Sequence, residues 1–226
     1  MAEQKDESLL LRRIPYGETS LICHFLSHQH GRLTLMARGA RRSNSALRAS
    51  LAPLHLLTIS WRPGRAGMGT LLGVERGNAL VAESNMLDGL ELMAIAAGLF
   101  REGDPYGFSE LGSGLDMLQG RRSPEGLYAG AWKLLEQAGL IGPWDHCWHC
   151  GCQVSAEAPM FWNQARLVCA QCGSDSMLSP GLRKGIQGVL QQPNVRLSGR
   201  DAEQWRVMIG LVLKSHDVKL PDRFKV

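Results

Sequence analysis

Five of the chain's six cysteines lie between residues 147 and 172. They read Cys147-Trp-His-Cys150-Gly151-Cys152, then Cys169-Ala-Gln-Cys172-Gly173. Two cysteines separated by two residues fit a tight turn that points both sulfurs at one ion. The glycine after each pair permits the positive φ such a turn often needs. Two such knuckles at this separation match the spacing of a tetrahedral zinc site. The expected ligands are Cys147, Cys150, Cys169 and Cys172. Four thiolates leave no open position for substrate, so the zinc is expected to be structural. A redox dithiol is the competing chemistry, but nothing here resembles a thioredoxin-like βαβ unit. His146, His149 and Cys152 could substitute for a ligand. Cys152 falls outside the paired-knuckle geometry and is left out. Cys23, alone in a strand, reads as a small packing residue.

A second pattern is electrostatic. Residues 1–80 carry 11 Lys and Arg against 5 Asp and Glu, and no carboxylate occurs between Glu18 and Glu75. The rest of the chain carries 14 basic and 16 acidic residues. A basic N-terminal part with a near-neutral remainder points to a polyanion partner. Candidate phosphate contacts are Arg12, Arg13, Arg32, Arg38, Arg41, Arg42 and Arg48, with Arg62 and Arg65 in the same carboxylate-free stretch. Arg38-Gly-Ala-Arg41-Arg42 ends a strand and enters a loop, a good place to grip phosphates. Only Tyr16, Phe25 and Trp61 are aromatic there, so base stacking should be minor. Sequence preference should be weak, with tolerance for both single and double strands.

These residues need elements to position them. Candidate strands are Leu9–Ile14, Thr19–Leu26, Arg32–Arg38, Leu54–Trp61 and Gly69–Glu75, separated by Gly, Pro and Asn turns. With a short Ala/Leu segment between the third and fourth, they predict a closed OB-type barrel, an open five-stranded sheet being the alternative. After residue 80 the period becomes helical. Met86, Leu87, Leu90, Ala94, Ala97 and Phe100 fall on one face, expected to be a core face. Ser123-Pro124-Glu125 and Ser179-Pro180 read as helix starts. Leu127, Leu134, Leu135 and Ala138 stripe one helix, which stops near Gly139. Trp205, Met208, Ile209, Val212 and Leu213 stripe the last. The fold expected is α+β: a barrel over residues 1–80, then a helical domain over 81–226 with a zinc module inserted at about 145–178. No phosphate-binding loop, metalloprotease motif or nucleophile elbow is present, so no catalysis is expected. No run reads as a signal peptide or a membrane span, which leaves the cytoplasm and no membrane partner.

The segment Leu11-Arg-Arg-Ile-Pro15-Tyr-Gly-Glu18-Thr-Ser20, with His30-Gly-Arg32 and Ala37-Arg-Gly-Ala40-Arg-Arg42, resembles the opening of the RecO family of bacterial recombination mediators. The order barrel, helices, four-cysteine module resembles that family over nearly the full length. The resemblance implies a DNA-repair accessory protein without catalytic chemistry, acting in the nucleoid. It implies binding to DNA, to the single-strand-binding protein SSB and to RecR, strand annealing, and indirect help in loading RecA. The family's Arg-Arg-Phe-like run before the zinc module, associated with docking the SSB tail, has its counterpart at Leu127-Tyr-Ala-Gly-Ala-Trp132. That stretch holds no arginine, so SSB-docking residues are not carried over. A zinc-ribbon transcription or RNA-binding factor and a redox-sensing dithiol protein are the other readings.

Overall fold

The computed structural model describes residues 2–64, 67–173 and 176–225; Arg65 lies outside the described residues. Five strands form the first unit: Gln4–Tyr16 (β1), Ser20–Ser27 (β2), Gly31–Ala37 (β3), His55–Arg62 (β4) and Met68–Ala79 (β5). They close into a barrel in the order β1-β2-β3-β5-β4, with β4 returning to β1. All pairs are antiparallel except β3 with β5. This is the OB arrangement, and it excludes the open sheet. The helix Ala46–Ser50 (α1) is the Ala/Leu segment between β3 and β4. Strand β1 begins earlier than its apolar residues announce. Its polar start, Gln4 to Ser8, pairs with β4, and Ser8 to Tyr16 pair with β2. A register shift between Leu10 and Arg12 marks a bulge that bends the strand from one partner to the other. Leu10, Cys23, Phe25, Leu35, Leu57, Ile59 and Trp61 fill the interior.

The helix Met86–Leu99 (α2) corrects the face expected from periodicity. Of the expected face, Met86, Leu87 and Leu90 are 47%, 68% and 38% exposed, while Phe100, just past the helix, is buried as expected. The buried residues are Asp88, Gly89, Leu92, Met93, Ile95 and Ala96. The helix is apolar nearly all round, so its period cannot choose a face; close approach does. A Cβ on Gly89 would meet Leu54 Cδ2 at 2.8 Å. Farther on, Gly31 has φ +61°, and a Cβ there would lie 1.8 Å from the Asp104 carbonyl oxygen. The barrel strands end at Ala79, but the compact unit built on them runs to Gly112. Helix Phe108–Asp116 (α3), which the apolar pattern did not announce, crosses that division.

The second unit runs from Ser113 to the end of the described chain. It holds helices Glu125–Gln137 (α4), Pro180–Gln191 (α5) and Gly199–Ser215 (α6). It also holds a three-stranded sheet, Met160–Asn163 (β6), Arg166–Cys169 (β7) and Ser176–Leu178 (β8), in the order β7-β6-β8. Ser179 caps α5, its hydroxyl accepting from the Leu182 N–H at 3.1 Å. Ser123, expected to cap α4, does not; its hydroxyl accepts from Arg223 at 3.0 Å. Every residue from Glu125 to Trp132 is buried, so α4 is the central helix of the unit. Trp132 stacks on Trp144 with ring centroids 4.6 Å apart, and Trp162 and Trp205 lie 6.3 and 6.1 Å away. These aromatic contacts join the sheet and the cysteine loops to α4 and α6. No helix among the described residues is long and apolar enough to cross a membrane.

Candidate nucleic-acid interface and metal centre

The arginines sort into three groups. Arg13 lies in β1 opposite Cys23, and its NH1 donates to the Leu51 carbonyl oxygen at 2.8 Å, just past α1. Arg41 donates to the Gly17 carbonyl oxygen at 2.9 Å, while its backbone N–H bonds Thr19 O at 2.8 Å. The β3–α1 loop is thus folded onto the β1–β2 turn. A guanidinium has five N–H donors, so both arginines keep donors for an anion. Arg13, Arg41 and Arg48 line one cavity of about 460 Å³ with Pro15, Leu21 and Ala40. Arg38 and Arg42 are exposed on the same loop. Neither their side chains nor that of Arg48 forms a hydrogen bond or ion pair with another described residue.

Arg32 and Arg12 stand apart. Arg32 sits at the opposite end of β3 from Arg38. Its NH1 donates to the carbonyls of Ala97, at 2.9 Å, and Phe100, at the end of α2. It closes the helix C-terminus, where a cation is favoured. Its NH1 thus has an internal role, at the end of β3 away from Arg38. Arg12 is exposed in β1 opposite His24. Burial, with the positive charge of Arg32 and Arg12, holds the His24 imidazole below its ordinary value, so it stays neutral. The sequence offered no signal for this division, because Arg32 and Arg38 share strand parity and differ only in what lies beyond the strand ends.

The four cysteines converge. The sulfurs of Cys147, Cys150, Cys169 and Cys172 all lie within 4.8 Å of one another, the one such cluster among the described residues. Cys150 Sγ and Cys169 Sγ are 3.9 Å apart. A tetrahedron with metal–sulfur bonds of about 2.3 Å has edges of about 3.8 Å, so the set fits a metal ion. Gly151, at φ +70°, has the backbone the first knuckle requires. Gly173 does not share it; a Cβ there would meet Val168 Cγ2 at 2.4 Å, so close packing excludes a side chain. Burial works to raise the Cys147 thiol, but N–H groups of Cys150, Cys169 and His149 outweigh it and bring it to about 6. Cys172 is pushed up to about 12 by burial and by its hydrogen-bonded neighbour thiols. Cys152, outside the expected set, is exposed beside it, its backbone carbonyl accepting the Cys147 N–H at 2.9 Å. Cys23 is fully buried in the barrel, where burial raises its thiol to about 11, as a packing residue requires.

The chain is similar to known proteins. The family model "Recombination protein O N terminal" matches residues 1–77. The DNA repair protein RecO of Bacillus pumilus is 30% identical over 180 residues, which cover 75% of this chain and 68% of that protein. The chain belongs to the RecO family. RecO of Paraburkholderia xenovorans is 47% identical over 75 residues, 33% of this chain and 24% of the relative. RecO of Thiobacillus denitrificans is 35% identical over 103 residues, 45% and 40% respectively. Apart from the Bacillus match, these alignments span well under two thirds of the RecO relatives' own length. Leu127 to Trp132, the arginine-free stretch of α4, is buried throughout.

Proposed function

We propose that the arginine-ringed barrel end holds the DNA backbone, and that the protein is a non-enzymatic DNA repair and recombination mediator. The observation that carries this reading is the cavity lined by Arg13, Arg41 and Arg48, flanked by Arg38 and Arg42 and free of carboxylates. The relatives' name, DNA repair protein, agrees with it. On this reading the protein binds single- and double-stranded DNA and anneals complementary strands. With RecR it assists RecA loading on SSB-coated DNA, in the cytoplasm at the nucleoid. Its four thiolates hold one structural Zn²⁺, which ties β7 and the two knuckles to the aromatic core. The test is annealing of complementary strands coated with SSB, with and without the protein. Faster annealing in its presence is expected. An unchanged rate, with DNA bound no more tightly than by a neutral control protein, overturns the reading.

A further inference from the structure

We propose that Cys152 is a fifth, exchangeable ligand of the four-cysteine centre, able to take the place of Cys150. The inference rests on the reading of that centre as a metal site. Its first support is backbone pairing. His146 and Gln153 form an antiparallel bridge, and the Cys147 N–H donates to the Cys152 carbonyl oxygen at 2.9 Å. Cys147 and Cys152 therefore stand opposite one another across the hairpin. Side chains of directly opposed residues leave on the same face. Since Cys147 Sγ belongs to the centre, Cys152 Sγ is sent to the same side.

The second support is adjacency. Gly151 alone separates Cys152 from Cys150, so a thiol sent to the centre's side of the hairpin has a ligand position beside it. The third is spacing. Replacing Cys150 by Cys152 turns a Cys-x₂-Cys knuckle into Cys-x₄-Cys, which lies within the range zinc loops use. The fourth is freedom to move. Cys147 and Cys169 are buried, whereas Cys150 and Cys152 are exposed. Gly151 between them has open space where a Cβ would stand. The buried pair anchors the ion while the exposed pair trades places. In the exchange one metal–sulfur bond forms at Cys152 as the bond to Cys150 breaks. The proton leaving the Cys152 thiol passes to solvent, the released Cys150 thiolate takes one up, and the metal keeps four thiolates throughout. The consequence is a centre that survives chemical blocking of its most exposed ligand.

The experiment uses the full chain with zinc or cobalt(II) as the probe. Parent, Cys150→Ser, Cys152→Ser and the double variant are compared by metal content, chelator competition and thiolate-to-cobalt charge-transfer intensity. Cys152→Ser should match the parent. Cys150→Ser should keep one equivalent and a four-thiolate cobalt spectrum, and the double variant should bind roughly 100-fold more weakly than Cys150→Ser. Equal losses in Cys150→Ser and the double variant overturn the proposal. A parent that binds no metal overturns the metal reading instead. If Cys150→Ser does not fold, limited alkylation of the zinc-loaded parent decides. Chains labelled once, at Cys150, should retain zinc; stoichiometric zinc release on labelling Cys150 contradicts the exchange.

Discussion

On the proposed reading of the four-cysteine centre, replacing Cys147 by serine removes the ligand that has no substitute. Cys147 is 2% exposed, and its sulfur accepts the Cys169 N–H at 3.3 Å, so it ties the two knuckles together even before a metal is considered. A structural zinc site of this kind supplies roughly 10–16 kcal/mol of apparent binding energy near pH 7. Shared evenly among four thiolates, the loss is about 3–4 kcal/mol, or roughly 10²–10³-fold in metal affinity. The damage should spread to the aromatic core. Trp144, three residues before Cys147, stacks on Trp132 at 4.6 Å, and Trp162 of β6 lies next to the same ring. Cys147→Ser should therefore lower zinc content below one equivalent, red-shift tryptophan emission and depress the thermal midpoint of the second unit. The barrel, a separate compact unit, should still bind DNA. Full zinc retention with an unshifted emission spectrum would refute the four-thiolate centre.

Asp6 should give the barrel an acid-sensitive element. Burial raises its carboxyl, but Ser27, Gln29, His30 and Glu7 hydrogen bonds outweigh this and hold it below its ordinary value. Its stabilisation is therefore complete above the unfolded value near 3.8 and lost as pH falls through the lower folded one. Asp6→Ala should cost roughly 2–3 kcal/mol at neutral pH and flatten the stability profile below about pH 4, read by denaturant titration. Arg32→Ala should destabilise the first unit by roughly 2 kcal/mol through the unpaired Ala97 and Phe100 carbonyls, with little change in DNA affinity. An equal loss of DNA affinity in that variant and in variants at Arg38 or Arg42 contradicts its internal role. Gly31→Ala, forced both against the Asp104 carbonyl and into positive φ, should lose more than about 2 kcal/mol by the same measurement.

Where local chemistry decides an element, the sequence was a sufficient guide. Ser179-Pro180 opens α5, and Gly139, at φ +72°, ends α4 as its position requires. The stripe Trp205, Met208, Ile209, Val212 and Leu213 is buried as its period demands. The cysteine spacing placed four sulfurs around one point. Elements decided by their partners were less legible. The buried face of α2 depends on Gly89 approaching Leu54, which periodicity cannot weigh among equally apolar residues. The β6–β7 hairpin turns through Gln164 and Ala165, both at positive φ, where glycine or asparagine would ordinarily announce a turn. The arginines were visible as charge, but their division into tethered and free groups depends on carbonyls at Leu51, Gly17, Ala97 and Phe100. Those partners are distant in sequence and carry no signature of their own.

Grip of the barrel end on the DNA backbone is read from the salt dependence of single-strand binding. The comparison is between the parent and Arg38→Gln/Arg42→Gln/Arg48→Gln. These three side chains are exposed and bind no other described residue, so their neutralisation should leave the fold, the metal content and the helical signal unchanged. Each phosphate contact contributes about −0.7 to the log–log salt slope on single strands. The slope should be shallower by about 2 in the triple variant, with affinity reduced alike across sequences. A folded, metal-replete triple variant with the parent's slope and affinity would contradict that grip.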